Sequence, residues 1–545
     1  MKEPSSTVTD STTAFSYVVV ASLTLVSFLM AQSIYEFISA NLEFLTLRHH
    51  ATQVQLLLMI FAFQFIPALF LSTVWLIFKK LNSTLAKWFF NGVAFILFLI
   101  FFLQVHNKLF SSHRLFAHSS VLALVPAVLL ALLCASHPNA FRSFVLFLSP
   151  FVLIFPALFL FHTWQTVSAA NQKGVPAVSS TSDNTGMERQ RHPPVFMLIL
   201  DELTRSALLD KNGEIDGDRY PNFKNLAASS TFFRNATANA DRTVRSLPVI
   251  LTGNFPIGND PSLSAYPDNL LSLLRPYYRI HVRELTTRFC REPDFDCPDG
   301  KYLSSSSELL KDTLLFYASG VVPTFLDSYL EALEVAAHRD RFDRFVSALT
   351  LHPGDNDFYF VHQWLPHSPY MLDPQGKIHA GGPPAVFGHS HARDPGTLAW
   401  VRSRYLMQIG YADKQLGAFI GKLKDSGVYD SALVIVTADH GVSWRVDSPG
   451  RDLSNRNAEL IMSVPLFIKI PGQRIFAVSD SDVQHIDLLP TVTDVLGVQI
   501  PWKHVGRSIL DRDPASRKKV IYDANGKRFE FSDHFGMSGQ TQETQ

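Results

Sequence analysis

Five apolar runs without a single charged residue crowd the first third of this chain, at residues 11–35, 52–78, 88–107, 115–141 and 143–172. Each is long enough for the roughly 20 residues that cross a bilayer as a helix. Nothing water-soluble buries five such runs in succession, so the sequence predicts an N-terminal five-helix transmembrane bundle over 1–165. A cleavable signal peptide does not explain the first run, because four more follow and no small-residue cleavage site closes it. Charge separates two regions. Up to Gln165 there are eight Lys/Arg and four Asp/Glu, 12 of 165 positions, whereas the remaining 380 residues hold 84, about the density of an ordinary soluble domain.

With a cytoplasmic N-terminus, the inner loops carry Lys2, Lys79, Lys80, Lys87 and Arg142, and the outer loops carry Arg48, Lys108 and Arg114. Five against three is a mild positive-inside bias, and five spans then place the rest of the chain outside the cytoplasm. The cysteines agree with this. Cys134 sits in an apolar run, while Cys290 and Cys297 lie seven positions apart in the charged region. A Cys290–Cys297 disulfide in an oxidising compartment is the reading, with two free thiols as the alternative. The formal net charge is zero, which excludes the basic footprint of a nucleic-acid binder. Residues 166–194 are rich in Ser, Thr, Asn, Pro and Gly and read as a linker. Residues 512–545 read as a polar, partly disordered C-terminal tail. The outer loop 41–52 reads equally as a lipid guide or as a plain connector.

Over 195–511, short β-rich runs at 195–200, 278–285, 357–364, 433–438 and 465–470 alternate with helical patterns such as 405–423. Alternation of this kind predicts an α/β domain with a mostly parallel central sheet. Chemistry in such sheets gathers beyond the carboxyl ends of the strands. Two ends carry metal-type residues, Asp201-Glu202 after the first run and Asp439-His440-Gly441 after the fourth. Carboxylates with imidazole suit a divalent cation, zinc first and manganese second.

Several segments, in order, then carry a resemblance. They are Pro221-Asn222-Phe223, Thr231 to Ala238, Ile250-Leu251-Thr252-Gly253, Thr437-Ala438-Asp439-His440-Gly441 and Ile486-Asp487-Leu488-Leu489-Pro490-Thr491. Together they resemble the landmarks of the sulfatase and alkaline-phosphatase superfamily. Combined with the apolar runs, they resemble in particular the membrane-bound phosphoethanolamine and phosphoglycerol transferases of bacterial envelopes. Sulfatases place a Cys or Ser nucleophile about nine residues before a Thr-Gly, and here that spacing falls on Thr243, which cannot become formylglycine. Thr243-Val244-Arg245-Ser246-Leu247-Pro248 is instead similar to the transferase nucleophile segment, and Glu202-Leu203-Thr204-Arg205 to its Glu-Thr-Thr-Arg.

The resemblance implies Thr243 as nucleophile and metal contact, with Glu202, Asp439 and His440 as metal ligands and Asp201 as a possible second acidic ligand. It places His367, followed by Ser368-Pro369, over the reacting group, either binding an oxygen or protonating the leaving alkoxide. His362 reads equally as structural, and His379, His389 and His391 as loop residues or a second metal site. Arg205, Arg245, Arg445 and Arg451 are candidate substrate-binding cations, since guanidinium grips phosphate in two-point geometry. The implied function is a metal-dependent phosphotransferase of the bacterial inner membrane. It takes a phosphoethanolamine or phosphoglycerol group from a phospholipid donor through a Thr-linked intermediate to an envelope glycan or lipid acceptor. A sulfuric or phosphoric ester hydrolase is the alternative within enzymes, and a non-catalytic lipid-sensing regulator the alternative outside them.

Overall fold

The computed structural model describes residues 6–42, 44–49, 51–110, 120–172, 192–284, 286–290, 295–297, 305–321, 327–379, 394–511 and 517–532. The chain divides into two units, Met1–Gly174 with Tyr302–Leu330, and Val175–Lys301 with Glu331–Gln545.

In the first unit, four helices among the described residues are long and apolar enough to cross a membrane: Phe15–Ala40, Gln53–Leu81, Ser83–Lys108 and Pro138–Ser168. The sequence predicts five. The fourth apolar run yields a 3₁₀ turn, Ser120–Ala123, and a 13-residue helix, Leu124–Ser136; residues 115–119 lie outside the described residues. His137 leaves the helical region (φ −124°, ψ 62°), and Pro138 opens the next helix at its first turn, the one helical position where a missing N–H costs nothing. Residues 138–141 therefore begin the last of these apolar stretches, Pro138–Ser168. The last helix, Phe151–Gln172, also runs seven residues into the segment read as linker.

Several buried polar side chains in this unit find partners in side chains or backbone carbonyls of the same unit, as an apolar surround demands. Tyr35 donates to Gln64 Oε1 (3.0 Å), and Gln64 Nε2 donates to the Val152 carbonyl (2.6 Å). The helix Ser306–Val321, which sequence order assigns to the outer domain, belongs here as well. Leu309 is buried with Ile34, Leu45, Met59 and Phe159. Ser306 Oγ accepts from Gln55 Nε2 (3.2 Å), Tyr317 Oη accepts from Gln104 Nε2 (2.7 Å), and Asp312 pairs with His49 (3.2 Å).

The second unit is built on a seven-stranded sheet. Among the described residues the unit has thirteen strands, in chain order β1 Val195–Asp201, β2 Thr231–Phe233, β3 Ala236–Thr237, β4 Arg279–Arg283, β5 Asp357–Pro366, β6 Leu433–Ala438, β7 Ser443–Arg445, β8 Ser448–Gly450, β9 Leu466–Lys469, β10 Ala477–Ser479, β11 Val483–Gln484, β12 Lys519–Tyr522 and β13 Arg528–Phe531. The large sheet runs β10-β2-β9-β6-β1-β5-β4, and only β9 is antiparallel to its neighbours. All five predicted runs are strands of this sheet. β1 is buried on both faces, as central parallel strands are: Phe196, Leu198 and Leu200 enter one core, and Val195, Met197 and Ile199 the other.

Three further features fix the domain. Cys290 and Cys297 form a disulfide, Cα to Cα 5.8 Å. The C-terminal segment is not merely a polar tail: β12 and β13 pair as a hairpin, Lys519 is fully buried, and its Nζ donates to the Asn235 carbonyl (2.7 Å) and faces Asp482 (3.1 Å). At the start of β5, buried Asp357 accepts from Arg279 Nε (2.7 Å) and bonds His281 Nε2 (3.0 Å). Burial pushes the Asp357 carboxyl up, but the hydrogen bonds from His281 and Arg279 outweigh it and hold the group at about 2. Asp357→Asn is therefore expected to cost about 2 kcal/mol at neutral pH. The contribution is present above the ordinary carboxylate range and lost as pH falls through about 2. Denaturant melts of both proteins across acid pH should converge; a gap that persists there would remove this account.

Candidate active site

Strand alternation gathers the site. Asp201 is in phase with Val195, Met197 and Ile199 on β1, His362 with Phe358 and Phe360 on β5, and Asp439 with Leu433 and Ile435 just past β6. Those residues share a core with Leu247, Ile250 and Leu251 of the helix Thr243–Thr252. Since β6, β1 and β5 are adjacent and parallel, period-two geometry brings one side chain from each strand to one spot. Asp201, His362 and Asp439 each offer a ligand atom there, all within 4.8 Å of one another and all buried.

Thr243 is the first residue of its helix and nearly buried. Its hydroxyl adjoins the Asp201 and Asp439 carboxylates and favours the charged form of both, against the rise that burial causes. One turn on, Ser246 Oγ donates to the Asp439 carbonyl (2.5 Å). The Thr-x-x-Ser spacing thus puts two hydroxyls of one helix face on the same aspartate. The Asp439 Oδ1 also accepts from the backbone of Glu202 (3.0 Å) and of His440 (2.7 Å). Gly441 is required by close approach: a Cβ there would stand 2.7 Å from Thr204 Oγ1 and press on the Leu460 carbonyl. Thr204 in turn bonds both the N–H and the carbonyl of Val442.

The cluster fits a divalent cation. Asp201 Oδ1, His362 Nε2, Asp439 Oδ2 and His440 Nε2 are buried without a hydrogen-bond partner, a costly state for four polar atoms unless something else engages them. Burial, then the charges of Asp439 and Glu202, push the Asp201 carboxyl well above the usual range, and burial raises Asp439. Burial also lowers His362 to about 4 and His440 to about 3, with the Arg451 charge adding to the latter. Neutral imidazoles beside crowded carboxylates are the donor set that a cation such as zinc or manganese takes.

Glu202 lies beside this cluster in a left-handed conformation, φ 67°, a strain of about 1 to 3 kcal/mol for a residue with a side chain. The Tyr405 hydroxyl on its carbonyl (2.9 Å) and the Asp439 contact to its N–H hold it there. Its Oε2 accepts from Tyr370 Oη (3.1 Å) and Ser368 N (3.3 Å), and Arg451 Nε lies 3.4 Å from its Oε1. Arg451 Nη1 reaches His367 Nε2 at 3.0 Å.

The family model for sulfatases matches residues 194–498, more than half of the chain. The chain belongs to the sulfatase family. Among curated sulfatase relatives, it is 32% identical over 125 residues to the multifunctional alkaline phosphatase superfamily protein PehA of Trinickia caryophylli, covering 23% of this chain and 24% of that one. It is 29% identical over 180 residues to arylsulfatase K of Xenopus laevis, covering 31% and 32%. It is 32% identical over 107 residues to the lipoteichoic acid synthase-like protein YvgJ of Bacillus subtilis (strain 168), covering 18% and 17%. The chain thus spans a third or less of the length of these relatives.

Within this sulfatase-family domain, the structure brings together Thr243, Asp201, Glu202, Asp439, His440, His367 and Arg451 of the residues singled out by sequence. It turns the other arginines elsewhere. Buried Arg205 has Glu459, Arg234 and Asp480 as its charged neighbours; Arg245 faces the turn at Gly526; Arg445 pairs with Asp447 on the β7–β8 hairpin. His379 is bonded to Asp373 (3.0 Å), and His389 and His391 lie outside the described residues. Two buried histidines extend the site beyond the sequence reading. His362 is a cluster member whose strand phase is the signal that finds it. His485, one residue before the Ile486-Asp487 landmark, contacts Ser246 Oγ (3.3 Å).

Proposed function

We propose that this protein is a membrane-anchored phosphotransferase that carries a phosphoethanolamine or phosphoglycerol group on Thr243. The observation that carries the reading is a threonine hydroxyl, at the start of a ten-residue helix, aimed at two aspartates of a cation-type cluster. Threonine at this place excludes the formylglycine chemistry of sulfatases and leaves an unmodified alcohol as nucleophile. Four apolar helices support a lipid-derived donor, and so do the lipoteichoic acid synthases among the relatives. The Cys290–Cys297 disulfide supports a domain on the periplasmic or extracellular side of a bacterial inner membrane, since such bonds persist in oxidising compartments.

In the first half-reaction Thr243 Oγ forms a bond to phosphorus and gives up its proton. The bond from phosphorus to the diacylglycerol oxygen breaks, and that oxygen takes up a proton as it leaves. In the second, a hydroxyl of an envelope glycan or lipid bonds to the phosphorus of the phosphothreonine diester and loses its proton, the bond from phosphorus to Thr243 Oγ breaks, and Thr243 regains a proton. Asp201, His362, Asp439 and His440 would hold the cation, zinc in this reading, which would lower the energy of the threonine alkoxide and withdraw charge from the phosphoryl oxygens. The helix start at Thr243 presents backbone N–H groups favourable to an anion.

Mass spectrometry of the Thr243 peptide from protein purified out of its own membrane tests this. A phosphoethanolamine or phosphoglycerol adduct on Thr243 is expected. An unmodified threonine in metal-loaded protein, together with release of free phosphate or sulfate from simple esters, would replace the transferase by a hydrolase.

A further inference from the structure

We propose that Arg451 is the fixed cation that grips the transferring phosphoryl group, and that His367 is its positioning residue and not a proton donor. This rests on the phosphoryl-transfer reading above.

Hydrogen-bond sense decides the state of His367. Its Nδ1 lies 2.7 Å from the Ser368 carbonyl, and its Nε2 lies 3.0 Å from Arg451 Nη1. A carbonyl only accepts and a guanidinium only donates. The proton therefore sits on Nδ1, and the Nε2 lone pair faces Arg451. A ring held in this way has no proton on Nε2 to hand to a leaving alkoxide. Its contribution is an acceptor at a defined point in space.

Arg451 is oriented from three sides. His367 takes one Nη1 proton, Glu202 lies against Nε, and the Arg451 carbonyl accepts from Arg242 Nη1 at 3.0 Å. Arg242 is the residue before Thr243, and its Nη2 also donates to Asp452 Oδ1 (3.0 Å). One arginine next to the nucleophile thus fixes the backbone that bears the other. The charge of Arg451 acts on Asp201, Asp439, Glu202 and His440, so the guanidinium stands at the cluster that Thr243 touches. Its Nη2 makes no hydrogen bond to any described residue, and His367 takes only one of the two Nη1 protons. One proton on each terminal nitrogen is thus left for an anion, which matches two oxygens of a tetrahedral phosphoryl or sulfuryl group.

The test uses the full-length, metal-loaded protein in detergent and two probes, inorganic phosphate and inorganic sulfate, with binding read by calorimetry and metal content by elemental analysis. Arg451→Gln and Arg451→Lys are expected to weaken binding of the preferred anion by roughly 10- to 100-fold, the value of a lost charge-assisted pair, with metal content and melting temperature unchanged. His367→Gln places an amide oxygen near the Nε2 position, where it still accepts from Arg451 but cannot act as an acid. It should retain anion binding and turnover to within about threefold. His367→Ala should lose both, by the same factor for good and poor leaving groups, and adding it to Arg451→Gln should cost nothing further. Unchanged anion binding in the Arg451 variants overturns the grip. A His367→Gln protein as impaired as His367→Ala, with the loss growing for poorer leaving groups, overturns the positioning role and restores a proton donor. Preference for sulfate, with Arg451 still required, keeps the grip and overturns the phosphotransferase reading instead.

Discussion

Thr243→Ala protein is expected to release no diacylglycerol above background from phospholipid vesicles, a fall in turnover of roughly 10³-fold or more, as when a nucleophile acting within a catalytic unit is removed. The fold should tolerate the change. Thr243 is the first residue of its helix, and Ser246, one turn later, still holds the Asp439 carbonyl. What disappears is the hydroxyl that acts on both carboxylates. Thr243→Ser keeps that hydroxyl and should keep both the adduct and measurable turnover. Release of labelled headgroup from vesicles separates the cases, and an Ala variant as active as the parent would remove Thr243 from the mechanism altogether.

Asp439→Asn should purify with less than about a tenth of the metal of the parent protein, because a neutral amide replaces a charged ligand in a set with only two carboxylates. The substitution spares the scaffold. Asn Oδ1 still accepts from the Glu202 and His440 N–H groups, while Nδ2 replaces Oδ2, the buried oxygen without a hydrogen-bond partner. Its melting temperature should then be indifferent to added zinc. The parent protein should gain about 4 kcal/mol at a metal concentration near 1,000 times its dissociation constant and lose that gain to a chelator. Elemental analysis with paired melts checks both halves. An Asn variant that retains full metal would move the cation away from this cluster.

These outcomes rest on a site that was only partly legible in the sequence. Asp201 and Asp439 stand directly after apolar β runs, so an acid at a strand end marked them. His362 sits inside a strand buried at every position but Trp364, and only strand order reveals that it lies beside β1 with its phase toward the nucleophile helix. The four arginines looked alike as sequence. Neighbours distant in the chain separate them: Arg451 meets Glu202 and His367, whereas Arg205 meets Glu459 and Asp480. The C-terminal hairpin escaped notice because its apolar run is short, Val520 and Ile521, and the buried residue beside them is Lys519, a type that composition assigns to the surface. Within the fourth apolar run, hydropathy continues across a backbone break at Pro138 that only the structure shows.

The helix Ser306–Val321 changes what it would mean to cut this protein. Its burial with Ile34, Leu45 and Phe159, and its bonds to Gln55 and Gln104, tie sequence downstream of the first sulfatase-family strands into the apolar unit. The polypeptide therefore passes between its two units three times, after Gly174, after Lys301 and after Leu330. A protease that severs the Ser/Thr-rich stretch before Pro193 would not shed the sulfatase domain, because the cut fragment still carries a helix packed among the apolar helices. Retention after a single nick is built into the order of the chain.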